Sequence, residues 1–356
     1  MNRGELWDRL RSDGLVEGDL PERRDPAAAW YVRVMLGVAG WIGALFIMGF
    51  VAAAFAFVVK DEATAMIVGA ACCTGAAFLF RIFDEKVFAE QFALVLSLAG
   101  QILMLTGLSQ FLKPDTANFY FAAAGILAVL ALAEPNFLHR VLTSAGAAAA
   151  LALGIVQLSL HGFSAPILCA GLALIWLYPK RWARSGNVWR PIGYGLVLAL
   201  LLIETFRLFG AQRLFGFAPE TPSFLALYGP LIGRGLTALI LAWAAAVLAL
   251  REGYASASRT FVSAVAAALL VGLLSLEAPG LASALLILLL GFAAGNRLLM
   301  AMAIFSLLGF VAHFYYSLEA TLLEKSGLLA LTGVLLIAAW LVLRSGFPRG
   351  EEPAHA

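Results

Sequence analysis

From Val34 to Val59 the chain runs without one charged residue. A helix needs about 20 predominantly apolar residues to cross ~30 Å of hydrocarbon, and this run is longer than that. A soluble helix would show a polar stripe on one side, and none is present here. The polar stretch before the run is too long for the n-region of a signal peptide, so it reads as a retained span rather than a cleaved leader. Similar runs fill the rest of the sequence, separated by short charged or Pro/Gly clusters such as Lys60-Asp61-Glu62, Lys113-Pro114-Asp115 and Glu134-Pro135-Asn136. Composition agrees. Hydrophobic residues make up 62% of the chain and charged residues 13%, against about 25% charged in a soluble domain. Too little polar surface is available for a soluble enzyme or a disordered regulator. A net charge of +2 supplies no field for nucleic acid.

Twelve apolar runs reach or approach span length: Val34–Val59, Thr64–Phe80, Val87–Phe111, Ala117–Ala133, Val141–Leu160, Phe163–Leu177, Val188–Leu208, Leu225–Leu250, Thr260–Leu276, Leu281–Gly295, Leu298–Leu318 and Gly327–Leu343. The sixth and tenth are short, and the break at Glu277-Ala278-Pro279-Gly280 is tight enough for a turn or a re-entrant bend. The expected fold class is therefore an all-α polytopic membrane protein. Residues 1–33 form a cytoplasmic segment, 34–343 the transmembrane domain and 344–356 a tail. Orientation follows from the excess of Lys and Arg on cytoplasmic loops. With the N-terminus inside, 18 basic residues fall on inside segments and five on outside loops, and Arg234 falls within a span. One miscounted span would invert every later loop and spoil this asymmetry. Both termini are expected in the cytoplasm.

The first 33 residues carry 13 of the 46 charges. Within them Leu6, Trp7 and Leu10 share one face of a short helix that Gly14 stops. Such a helix lies on the bilayer or on the protein's own cytoplasmic face, or it docks a partner. Next come Trp30-Tyr31-Val32-Arg33, Gly37, Gly40-Trp41-Ile42 and Leu45-Phe46. This stretch, with the preceding Gly14-Leu15-Val16, resembles the start of the DUF4401 family of bacterial multi-pass membrane proteins, and it is similar in character to DUF2157. The resemblance is carried by about the first 50 positions. It implies a multi-pass protein of the bacterial inner membrane. It also implies a companion envelope protein, of the kind carrying a GDYXXLXY domain. The family has no assigned activity, so it supplies no catalytic residues. Physically, Trp30 and Tyr31 suit an interfacial aromatic belt with Arg33 reaching the headgroups, and Gly37, Gly40 and Gly43 allow close helix approach.

Ionisable residues at membrane depth cost at least ~2–3 kcal/mol each on insertion scales, which makes them functional candidates by default. Glu204 and Arg207 lie near the outer end of the seventh span, and Arg234 lies about nine residues into the eighth. At 1.5 Å per residue that is roughly 13 Å deep. Antiparallel packing of these spans would bring Arg234 within reach of Glu204. Gly233 and Gly235 flank the arginine, and Pro230 with these glycines weakens the helix, so exposed backbone and a guanidinium could meet an anionic group. A structural salt bridge, or an arginine snorkelling outward, accounts for the same residues. Gln101, at the centre of the third span, suits an interhelical hydrogen bond or a substrate contact. His313 suits an interfacial anchor beside Tyr315 and Tyr316, or a proton shuttle if a carboxylate faces it. The four histidines are scattered and the three cysteines, Cys72, Cys73 and Cys169, lie in apolar runs, so neither metal nor cofactor is expected. No HExxH, GxSxG or P-loop is present. Two functions fit best. One is a transporter-like or flippase-like protein for a small or lipidic substrate. The other is a non-catalytic scaffold or assembly partner for another envelope protein. A lipid-acting enzyme would need an acid/base cluster that the sequence does not show.

Overall fold

The computed structural model describes residues 3–13, 18, 30–55, 62–82, 87–210, 224–256, 258–276, 278–317 and 337. Among these the chain is helical and contains no strand. Twelve helices follow one another: α1 (Arg3–Ser12), α2 (Trp30–Phe55), α3 (Glu62–Ile82), α4 (Val87–Phe111), α5 (Ala117–Ala133), α6 (Phe137–Gln157), α7 (Ser164–Leu177), α8 (Gly186–Leu208), α9 (Phe224–Arg251), α10 (Arg259–Leu274), α11 (Leu281–Ala293) and α12 (Arg297–Ser317). The first eleven expected apolar runs each coincide with one of α2 to α12. The twelfth, Gly327–Leu343, lies outside the described residues apart from Ile337, as does Gly14. Six helices, α3, α4, α6, α8, α9 and α12, are long and apolar enough to cross a membrane. Helices α5, α7, α10 and α11 are apolar but shorter. Helix α2 runs for 26 residues, although several of its side chains lie outside the described set.

Local sequence explains the helix limits. Thr116 opens α5 in an extended conformation, and its hydroxyl donates to the Lys113 carbonyl at 2.7 Å. Glu134 closes α5 in an extended conformation, as a residue before proline must. Asn136 caps α6 by accepting from the His139 backbone N–H at 3.0 Å. Ser258 does the same for α10 through Phe261 at 3.1 Å, and Asn296 for α12 through Leu299 at 3.2 Å. Each cap satisfies a donor the first turn leaves open.

The chain divides into two compact units, 1–107 and 108–356. In the first, α1 exposes Arg9 and Arg11 and half-buries Trp7 and Leu10. The Trp41 indole donates to the Gln91 side chain at 2.8 Å, tying α2 to α4. Helices α3 and α4 cross at Gly69 and Gly100. A Cβ on either would sit within 2.7 Å of the other's carbonyl oxygen, so small residues set this crossing. The second unit is built on the pairs α5/α6, α6/α8, α9/α10 and α11/α12, with α7 packed among α6, α8, α9 and α11. Its core is aliphatic, with Leu172, Leu200, Leu286, Ile287 and Leu290 almost fully buried.

Candidate functional site

In the second unit, Glu204, Arg207, Gly233 and Arg234 line one small cavity together with Thr237, Ser275 and Ser283. Helix α8 supplies the first two residues, α9 the next three, and Ser275 and Ser283 flank the α10–α11 connection. The cavity holds about 10 Å³, the lower limit for a single water. Glu204 is buried, at 3% exposure. It accepts from the Ser283 hydroxyl at 3.0 Å and pairs with Arg207, one turn along α8, at 3.5 Å. The Cys169 thiol of α7 approaches the same Ser283 oxygen at 3.8 Å. A short polar chain therefore joins α7, α11 and α8 through an otherwise aliphatic core.

Arg234 donates to the backbone carbonyl of Leu276, just beyond the end of α10, where free carbonyls favour a cation. The close ion pair of Glu204 is thus with Arg207, while Arg234 borders the same cavity and holds a helix end. Two neighbouring hydroxyls are satisfied locally: Thr237 donates to the Gly233 carbonyl at 3.0 Å, and Ser275 to the Gly272 carbonyl at 2.6 Å. Gly233 packs on the turn before α7, where a Cβ would collide with the Gly162 carbonyl; Gly229, one turn earlier, meets the His161 carbonyl in the same way. Gly162 itself has φ +93°, a backbone conformation that favours glycine. The small-xxx-small spacing of α9 thus receives a turn rather than a second helix. Gly235 stands apart, with no atom within 4 Å of its Cβ position.

The two polar membrane residues marked elsewhere are not part of this cavity. Gln101 is buried and donates to Ser97 of its own helix at 3.5 Å. His313 is half-buried and meets the Phe209 ring edge-on, with centroids 5.4 Å apart. Glu277 and Glu319 lie outside the described residues. No group of three or more His, Cys, Asp or Glu is placed to hold a metal among the described residues.

A second polar cluster, around Glu134, is buried where the sequence suggested a loop. Glu134 (1% exposed) and His139 (0%) pair at 3.1 Å, and Thr143 joins the same His139 nitrogen at 3.1 Å. Arg140 donates to the Ala131 carbonyl at 3.2 Å and to the Asn187 carbonyl at 2.9 Å. Residues four positions on from these two carbonyls are Pro135 and Pro191, which have no N–H to give. Arg140 therefore supplies the donors that two prolines withhold. The available signal was the i, i+4 spacing of His139 and Thr143 on one face of α6, immediately after an Asn cap.

Helices of this length and apolarity suit a bilayer, and the class they fit is an integral membrane protein of many helices. A family model described as a domain of unknown function, DUF4401, matches residues 29–345, and the chain belongs to that family. No curated protein and no solved structure matches it.

Proposed function

We propose that the chain is a transporter-like or flippase-like protein of the bacterial inner membrane. In this reading residues 34–343 form twelve spans, both termini are cytoplasmic, and the polar centre at Glu204, Arg207 and Arg234 is the site for a small or lipidic substrate. One observation carries it: three ionisable side chains from two helices converge on one cavity inside an aliphatic core. Each is expensive at membrane depth, so their convergence is better accounted for by use than by packing. The cavity has room for only about one water, so on this reading the site widens to take its substrate. With Arg140 and Arg207 set aside, since both lie within the helix packing, the remaining basic residues split four outside to seventeen inside, which supports the topology. So does the placement of connections in the second unit. Residues at α7–α8, α9–α10 and α11–α12 line one cleft, while the α6–α7 turn meets the start of α9 at the opposite end of α7.

The second reading, a scaffold for another envelope protein, is favoured by the smallness of the same cavity and the aliphatic core around it. Cysteine accessibility separates the two. In a chain whose three cysteines are replaced by alanine, Ser283→Cys should react with a membrane-impermeant maleimide in cells or inverted vesicles if the site opens to either side. Labelling only after denaturation in detergent would sink the transporter reading and leave the scaffold.

A further inference from the structure

The larger opening of the second unit lies at the other end of the helices. A cleft of about 460 Å³ is lined by Trp176, Trp182, Trp189, Arg190, Arg251 and Asn296, among others. That volume is in the range of small-ligand sites. We infer that this cleft binds the phosphate of a net-anionic ligand, the headgroup of an anionic phospholipid or a soluble phosphate compound. The inference stands apart from the Glu204 cavity and needs only that the chain sits in a membrane.

Charge and shape carry it. The three connections around the cleft, residues 178–190, 251–259 and 293–297, hold seven basic residues and one acidic residue, Glu252. Two of the seven, Arg190 and Arg251, line the cleft itself. Arg251 lies over the Tyr178 ring at 5.0 Å, and Arg181 lies over the same ring at 4.9 Å. A guanidinium held by its face on a ring keeps its N–H edge for an anion. The rest of the wall is tied together by ring and hydrogen-bond contacts. Trp182 and Trp189 lie against each other at a tilt of 39°, centroids 4.3 Å apart, Asn296 donates to the Tyr194 hydroxyl at 2.6 Å, and Tyr194 meets Trp176 edge-on at 5.5 Å. The Trp182 indole N–H is enclosed and has no acceptor among the described residues, a donor that a ligand oxygen would satisfy. With the chain in a membrane, indole rings beside arginines and this cleft suit an acyl chain leaving a headgroup. An interfacial belt alone explains the tryptophans, but not a cleft of this volume with two arginines in its wall.

The test uses the full chain purified in mild detergent, with native mass spectrometry counting bound ligand. Dioleoyl phosphatidylglycerol should bind at least tenfold more tightly than dioleoyl phosphatidylcholine. Arg190→Gln with Arg251→Gln should weaken phosphatidylglycerol binding at least tenfold. Arg190→Lys with Arg251→Lys, which keeps the charge, should fall between, and it serves if the glutamine pair does not fold. Arg259→Gln with Arg297→Gln removes as much charge from the same face outside the cleft, and it should change binding less than twofold. Inorganic phosphate that binds the wild type while neither lipid does identifies a soluble phosphate compound as the source. Equal binding of the two lipids, an equal loss in the two glutamine pairs, or no binding of either lipid or phosphate overturns the inference.

Discussion

Arg140 shows how one side chain can tie three helices together. Its donors reach a carbonyl at the end of α5 and one in the first turn of α8, from a base in α6. Each of those carbonyls lost its helical donor to a proline, and an unsatisfied polar group away from water costs several kcal/mol. Arg140→Met should therefore lower the melting temperature of the detergent-solubilised protein strongly, with a loss of at least about 3 kcal/mol, since charged hydrogen bonds are worth ~1.5–3 kcal/mol each. Arg140→Lys should recover only part, because one ammonium lacks the fork that reaches both carbonyls. Melting unchanged in Arg140→Met would show that water replaces the guanidinium. This role was hidden in the sequence. Charges beside Glu134-Pro135-Asn136 were counted with a loop, since a proline and an Asn cap mark a helix boundary without saying how deeply it is buried. Glu204 and Arg234 were legible because they interrupt long apolar runs. Ser283 and Cys169, which complete the chain to Glu204, were not: small polar residues are ordinary in apolar helices.

At the scale of elements, the limits of α2 to α12 were legible. Charge clusters and Pro/Gly breaks punctuate the runs, and apolar composition fills the intervals. What each helix meets was not legible. The Gly229–Gly233 spacing permits close backbone approach, and the partner is the turn at His161-Gly162. Composition reports that backbone can come close, but not which backbone does. Gly233→Val should force α9 away from this turn. Branched side chains have no room against the Gly162 carbonyl, and overpacking costs typically 1–3 kcal/mol. A thermal-shift measurement in detergent should register a clear drop for Gly233→Val and little change for Gly235→Val, since Gly235 faces open space. Equal effects at the two positions would refute this account of the contact.

For the whole molecule, the alternation of basic loops makes a direct prediction. A green fluorescent protein fused after Ala356 should fluoresce, and alkaline phosphatase fused at the same point should be inactive, because both reporters read the cytoplasm. Active phosphatase there would mean an odd number of crossings. Eleven of the twelve runs coincide with helices, but length separates them. Among the described residues six helices are shown long and apolar enough to cross alone, whereas α7 and α11 have 14 and 13 residues.

Those two short helices are also among the most enclosed, with Leu172 of α7 and Leu286 and Ile287 of α11 fully buried. Each is about 20 Å long at 1.5 Å per residue, against a hydrocarbon layer of ~30 Å. The 3-10 segment Pro179–Ser185 and the turn at Leu158–Gly162 follow and precede α7. If α7 and α11 cross the membrane and water reaches both ends of each, the membrane voltage falls across about two thirds of its usual distance, and the field along them is half as steep again. A unit charge moving through that septum still gains only ~2.3 kcal/mol per 100 mV, but it does so in fewer residues of travel. On that condition Ser283 and Cys169, which these two helices carry, would stand inside the steepened field.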